Sequence, residues 1–409
     1  MEHQIHTLSN GLRFAYLQSE NTRVSHCGIF VDVGSRDEMP TEVGVAHLLE
    51  HMLFKGTAKR NVHQVLNRLE VVGGDLNAFT TKDKTSVYAS IINEELDRAL
   101  ELLRDVSFNS IFPEKELKKE KRVIMEEIDM YLDTPEERIF DEFMQHFYRG
   151  HALSYNILGD KQQVESLQQR DLIQFQRRGF TTSNSLIVIV SPLPFKRLAQ
   201  RVEKHFSDLT LSDTRQSRTA PKDPSPFEIE KSNGFLQAHV VMGAPAYNLN
   251  HVDRPTMMLL SNLLAGPGLN SKLNLVMRER LGYTYSVESS YLAATDHGLF
   301  NIYWSTDKRN LNRSRKALNR VIDELIDKPL TESQLKKYKT QFKGQMIMAE
   351  ESNLSLFFAL GKSLLDLGTF DTLTEALEKV DAIRPADIQQ VAQDLLTADK
   401  RSFLTYLPR

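Results

Sequence analysis

The sequence predicts an α+β fold built twice over. Three observations point there: the length, one loop-like segment near the middle, and an order of elements that repeats on either side of it. A chain of 409 residues exceeds what one ordinary core organises, so two domains of about 200 residues each are expected. The segment SDLTLSDTRQSRTAPKDPSPF, 207–227, is rich in Ser, Thr, Asp and Pro and has little apolar period, which marks a linker. It leaves 1–206 and 228–409 as two halves. In the first, TKDKTSVYASIINEELDRALELLRDV, 81–106, reads as an alternating strand, a short turn and an amphipathic helix. In the second, ATDHGLFNIYWSTDKRNLNRSRKALNRVIDEL, 294–325, repeats that order, as a duplicated unit would.

Composition narrows the function. With 41% hydrophobic and 26% charged residues the chain reads as an ordinary water-soluble globular protein. A formal net charge of −3 leaves no basic surplus for phosphates, which argues against a nucleic-acid partner. No apolar run is long enough to span a bilayer. The opening MEHQIHTLSNGLRF has neither the basic-then-apolar layout of a signal peptide nor a transit character, so a cytoplasmic location is expected. Cys27 is the single cysteine and, in a strand-like segment, reads as a small core residue.

One stretch does not fit a plain core helix: GVAHLLEHMLFKGT, Gly44 to Thr57. With 43–54 as a helix, His47 and His51 stand at i and i+4, one turn apart on one face, and Glu50 lies beside both. Val45, Ala46, Leu48, Leu49, Met52 and Leu53 fill the rest, and a helix apolar all round is buried. Buried polar groups cost free energy unless something satisfies them. A zinc ion does so for two imidazoles at this spacing, through neutral ring nitrogens about 2.0–2.1 Å from the metal. The competing reading is two core histidines bonded to backbone carbonyls. In the second half the counterpart is RPTMMLLSNLLAGPGLNSKL, 254–273, where LLSNLL stands instead.

A catalytic zinc needs a third protein ligand and an open position. The stretch FPEKELKKEKRVIMEEIDMYLDTP, 112–135, supplies candidates. Pro113 can open a helix there, and Asp133-Thr134-Pro135 can stop it. At about 100° per residue, Leu117, Ile124, Ile128 and Tyr131 form an apolar stripe. Glu120 and Glu127 fall inside that stripe, and Glu126 falls on the opposite face. Two carboxylates facing a core want a cation. Glu127 or Glu120 is therefore the candidate third ligand, and Glu126 is not.

The motif His-Leu-Leu-Glu-His is the inverted zincin pattern His-x-x-Glu-His. With the run Glu-Lys-Arg-Val-Ile-Met-Glu-Glu, 120–127, and the two halves, the chain resembles the pitrilysin-type metallopeptidases. Within them it is most similar to the subfamily of the mitochondrial processing peptidase β-subunit and its bacterial relatives, over nearly its whole length. The resemblance implies two similar α/β-roll halves, each a mostly antiparallel sheet packed by helices. It implies one zinc per chain on His47, His51 and Glu127, with Glu120 in support. Three protein ligands leave room for a water on the metal, and Glu50, not needed as a ligand, is the expected general base.

Two further matches concern substrate. GGDLNAFTTKDKTSVYAS, 73–90, resembles the family's active-site edge strand, where an extended peptide lies beside Asn77, Ala78 and Phe79. VMRERLGYTYSV resembles its Arg/Tyr substrate-binding motif, which falls on Arg278 and Tyr285. The bland readings are a strand with a solvated Asn and a helix end running into a Gly turn. The expected activity is zinc-dependent endopeptidase action on unfolded peptides or processing segments. The expected assembly is a homodimer, or a heterodimer with an inactive homologue, in which Arg278 and Tyr285 face the partner chain's zinc. A non-catalytic assembly subunit is the alternative; it would have lost a ligand or Glu50, and all are present. A structural-zinc protein or small-molecule hydrolase would leave Arg278, Tyr285 and the second half without a role.

Overall fold

Continuous buried apolar runs such as 14–17 and 186–190 become strands inside the first of two sheets. The computed structural model describes residues 3–212, 217–232 and 234–408; residues 213–216 of the expected linker lie outside them. The first sheet has β1 (His3–Thr7), β2 (Arg13–Gln18), β3 (Val24–Val31), β4 (Asp75–Thr80), β5 (Thr85–Ile92) and β6 (Ser185–Ser191). Its order is β1-β2-β6-β3-β5-β4, antiparallel except for the pair β2–β6. The second has β7 (Glu228–Ser232), β8 (Ala238–Pro245), β9 (Val287–Ala293), β10 (Gly298–Thr306) and β11 (Ser402–Leu407). Its order is β7-β11-β8-β10-β9, antiparallel except for β7–β11. Setting β1 aside, each strand has a counterpart at the same place, and the one parallel pair recurs at the same place. The fold is a duplicated α+β unit.

The helices of the first half are α1 (Val45–Met52), α2 (Val62–Glu70), α3 (Leu96–Phe108), α4 (Glu114–Leu132), α5 (Pro135–Phe147), α6 (Lys161–Ser166), α7 (Gln169–Gly179) and α8 (Phe195–Phe206). Those of the second are α9 (Arg254–Ala265), α10 (Leu311–Asp327), α11 (Glu332–Glu350), α12 (Asn353–Asp366), α13 (Leu373–Ala382) and α14 (Pro385–Leu395). The repeated strand–turn–helix is β5–α3 and β10–α10, each joined by a single 3₁₀ turn. The expected helix 254–273 stops at Ala265, and a π-helical turn, Asn274–Arg280, follows. Among the described residues no helix is long and apolar enough to cross a membrane.

Two compact units result, and they differ from the two halves by an exchange of helices. The first unit takes in Tyr155–Thr219 and Ala349–Thr372 besides the chain up to Met130; the second takes in Tyr131–Ser154. Thus α5, from the first half, lies in the second unit, and α12, from the second half, lies in the first. Ile139, Phe143 and Phe147 of α5 bury against Val241, Leu299, Leu404 and Tyr406. Leu356, Phe357, Leu360 and Leu364 of α12 bury against Ala15, Phe30, Leu186 and Val188. Both dockings need a glycine. A Cβ at Gly361 would stand 2.4 Å from the Phe30 ring, and one at Gly243 2.4 Å from the Phe143 ring. The opposite face of the first sheet buries Cys27, Ile29 and Val31 with α1, α3, α7 and α8, so Cys27 is the core residue expected.

Candidate metal centre

α1 is short because its start is built from backbone constraints. Gly44 takes φ +92°, and a Cβ there would meet Leu158 O at 3.0 Å, so only glycine turns the chain into the helix at this place. No side chain at Gly44 can cap the first turn. Instead Glu38 accepts from Gly44 N at 3.0 Å and from Ala46 N at 2.8 Å, satisfying two of the open donors. Burial pushes the Glu38 carboxyl up to about 8, against the opposing pull of those two amides. The helix runs over 45–52 rather than the expected 43–54, and Val45, Ala46, Leu48, Leu49 and Met52 are buried along it.

α4 presents the expected face. Leu117, Glu120, Ile124 and Ile128 are buried, Glu127 is half-buried, and Glu126 is exposed. Tyr131, expected in the same stripe, is only half-buried and donates to Asp141 at 2.6 Å. The two helices bring the sequence motif together. His47 Nε2 lies 3.7 Å from Glu127 Oε1, and His51 Nε2 lies 3.6 Å from Glu127 Oε2. The imidazole centroids are 4.7 Å apart.

These spacings fit a metal better than they fit hydrogen bonds. Nitrogen and oxygen at 3.6–3.7 Å are too far apart to bond directly. Ligands of a tetrahedral zinc, about 2.0–2.1 Å from the ion, stand roughly 3.4 Å from one another. Among the described residues His47, His51 and Glu127 form the metal-capable group, their ligand atoms all within 4.8 Å of one another. His47 Nδ1 is buried without a partner. Burial, helped by the neighbouring His51, pushes the His47 imidazole down to about 4, which keeps it in the neutral form a metal needs.

Glu120 stands behind the group. Its Oε2 lies 3.2 Å from His51 Nδ1, and Lys55 Nζ donates to its Oε1 at 2.7 Å. A carboxylate accepting from Nδ1–H leaves the Nε2 lone pair aimed at the metal position. Glu50 is half-buried and makes no part of the ligand group. Burial raises its carboxyl above the usual range, Thr80 and His51 oppose the rise, and Glu127 adds to it. A carboxyl raised in this way is a stronger proton acceptor than an ordinary one, as a general base needs to be.

β4 is the free edge of the first sheet and runs beside α1. Along it Ala78 packs against the core that holds α1. Phe79 turns to the other face, its ring 5.5 Å from that of Phe358, and Asn77 is exposed. Arg278 and Tyr285 belong to the second unit. There the Arg278 guanidinium lies 5.2 Å from the Tyr285 ring, which is 82% exposed. Glu38, Lys55 and Thr80 escaped the sequence reading. Lys55 had a signal, since it stands one turn beyond His51; Glu38 and Thr80 reach the site through turns and sheet pairing.

The second unit carries the same framework without the ligands. Leu259-Leu260-Ser261-Asn262 stands where the first has Leu48-Leu49-Glu50-His51. α11 and α4 are each 19 residues long, and laid end to end they place Gln345 on Glu127. Asn262 Nδ2 donates to Gln345 Oε1 at 2.7 Å. Two amides thus bond directly where the first unit offers a metal three ligands.

A duplicated α+β scaffold with one His-x-x-Glu-His centre defines a zinc-protease type of protein, and comparison with known proteins agrees. The family described as insulinase, peptidase family M16, matches residues 13–161, and the peptidase M16 inactive domain matches residues 166–342. An uncharacterised zinc protease of Bacillus subtilis is 31% identical over 397 residues, 96% of either chain. Another, of Streptomyces coelicolor, is 29% identical over 95% of this chain and 86% of that one. A protease from Helicobacter pylori has the same fold, with TM-score 0.91, 22% identity and full coverage of both chains. So does a peptidase M16 inactive domain from Pseudomonas fluorescens, with TM-score 0.93, 19% identity, and coverage of 100% and 98%. The chain belongs to peptidase family M16, the insulinase family of zinc proteases.

Proposed function

We propose that the chain is a zinc-dependent endopeptidase that hydrolyses unfolded peptides or processing segments. The observation that carries this reading is the convergence of His47, His51 and Glu127, with Glu50 left free beside an open strand edge. One zinc ion per chain, held by those three residues, would supply the Lewis acidity that acidifies a water and polarises a peptide carbonyl. Glu50 takes the proton of the attacking water and passes it to the leaving amine. Glu120, charge-paired with Lys55, fixes the ring and tautomer of His51. β4 receives the substrate as an added strand along Asn77, Ala78 and Phe79.

The working form is a dimer, homodimeric unless an inactive homologue is the partner. In it Arg278 and Tyr285 of one chain donate to the oxyanion that develops at the other chain's site. The exposure of Tyr285 supports this, since its hydroxyl is open to a second molecule. The inactive-domain family model matches residues 166–342, beyond the metal-binding residues, and the inactive domain from Pseudomonas fluorescens is alike in fold alone; both are compatible with a non-catalytic subunit without favouring it.

The test separates base from ligands. Glu50→Gln keeps the metal and loses hydrolysis by about 10²–10⁴-fold, the usual worth of a general base. His51→Ala and Glu127→Gln lose the metal itself. Metal content by atomic emission and cleavage of a quenched peptide measure both. A Glu50→Gln enzyme as fast as wild type would remove Glu50 from the mechanism.

A further inference from the structure

Arg218 belongs to the linker, in a stretch without helix or strand, yet its side chain is only 18% exposed. Its guanidinium touches three separate segments of the first unit. Nε and Nη2 donate to the two carboxylate oxygens of Asp37, at 2.8 and 2.6 Å. Nη1 donates to Asp32 Oδ1 at 2.8 Å and Nη2 to Asp32 O at 3.2 Å. Nη2 also donates to Asp83 O at 2.7 Å. Asp32 follows β3. Asp37 closes the 3₁₀ turn Ser35–Asp37, whose next residue, Glu38, caps α1. Asp83 sits in the turn between β4 and β5.

The same turn and loop are stitched together around that contact. Ser35 N donates to Thr81 O at 3.1 Å and Arg36 N to Lys82 O at 2.9 Å. Arg36 Nη1 donates to Asp83 Oδ1 at 2.9 Å. A Cβ at Gly34 would come within 2.5 Å of both carbonyls, so the approach is as close as backbones allow. One strand of this stitching leads to α1, with His47, Glu50 and His51. The other leads to β4.

We propose that Arg218 is a positioning residue of the peptidase site: its guanidinium holds the loop that launches α1 against the turn that ends β4. The proposal rests on reading α1 as the metal-bearing helix and β4 as the substrate strand. Misplacing reacting groups by about 1 Å can cost about 10²-fold in rate, so a device that ties these two elements together bears directly on turnover. A planar fork offers five donors spread over three nitrogens in fixed directions, whereas an ammonium offers three from one atom and cannot keep all these contacts at once. Without Arg218, Asp37, with 2% of its side chain exposed, loses its counter-charge and must move toward water.

The experiment compares wild type with Arg218→Lys, which keeps the charge and loses the fork. Arg218→Gln/Asp37→Asn, which removes both charges, guards against misfolding from a bare carboxylate. Metal content stays at the wild-type level in both, because the ligands are untouched. Amide exchange at Ser35 and Arg36 quickens by about tenfold or more, as local opening becomes easier. kcat for an extended peptide falls by about fivefold or more while KM changes less, the signature of misplaced reacting groups. Wild-type exchange in both variants overturns the proposal, and so does faster exchange with unchanged KM and kcat. If wild type itself cleaves no peptide, the peptidase reading fails, while the exchange rates still decide whether Arg218 orders this loop and turn.

Discussion

Glu120 and Glu126 lie on one helix, six residues apart, and face opposite ways. Glu120 is buried beside His51 and Lys55, whereas Glu126 is exposed. Glu120→Gln should therefore lower metal affinity or activity by about 10–100-fold, the usual worth of a carboxylate behind a ligand histidine. Glu126→Gln should change neither. Zinc titration of the two variants checks this, and equal affinities would contradict the assigned roles. Glu38 gives a prediction in pH. Its carboxyl is raised by burial from 4.5 to about 8, so across that window the folded chain keeps a proton that the unfolded chain releases. Stability is then unaffected below about pH 4.5, falls as pH rises toward about 8, and levels off beyond. Glu38→Gln, neutral throughout, should flatten that part of the curve. Thermal midpoints measured from pH 5 to 8 for both proteins give the answer, and parallel curves would refute it.

At the scale of elements, the exchanged helices decide which pieces fold together. α12 docks with Gly361 under the Phe30 ring, and β8 offers Gly243 to the Phe143 ring of α5. Gly361→Ala and Gly243→Ala should each destabilise the protein by about 1–3 kcal/mol, the cost of overpacking where neither ring has space to retreat. Phe357→Ala, which empties the centre of the α12 contact, should cost about 3–5 kcal/mol. Urea unfolding measures all three, and a neutral Gly361→Ala would show that the interface has slack. Neither helix was among the elements expected from the sequence, and their exchange could not be read from it, because an apolar stripe records that a face is buried and not which sheet buries it.

For the whole molecule, two units share one framework, and among the described residues the metal-capable group stands in the first. Asn262 and Gln345 keep the α9–α11 pair joined by a hydrogen bond, so the second unit retains the framework while giving up the chemistry. That leaves Arg278 and Tyr285 as its expected contribution, made to a partner chain. Mixing a Glu50→Gln chain with a Tyr285→Phe chain tests this. At equal amounts half the dimers are mixed, and one of the two sites in each regains both wild-type groups, so activity should return to about a quarter of the wild-type level. No recovery despite verified subunit exchange, or full activity in a protein shown to be monomeric, would sink the arrangement in trans.

The sequence alone put forward His47 and His51, with Glu127 or Glu120, as metal-capable residues, for a local reason. His47 with His51, and Glu120 with Glu127, are spaced by whole turns of their own helices, and that geometry is the same in any fold. It also determined the duplication, because the order of strand, turn and helix is written twice. Only the tertiary structure decided that α1 meets α4 with Nε2 atoms facing the Glu127 oxygens, since nothing local fixes how two distant helices cross. It alone decided which sheet receives α5 and which receives α12. And it alone brought Glu38 and Thr80 to the site and Arg218 to the loop and turn behind it, because a turn, a strand end or a linker carries no period by which a sequence announces where it will land.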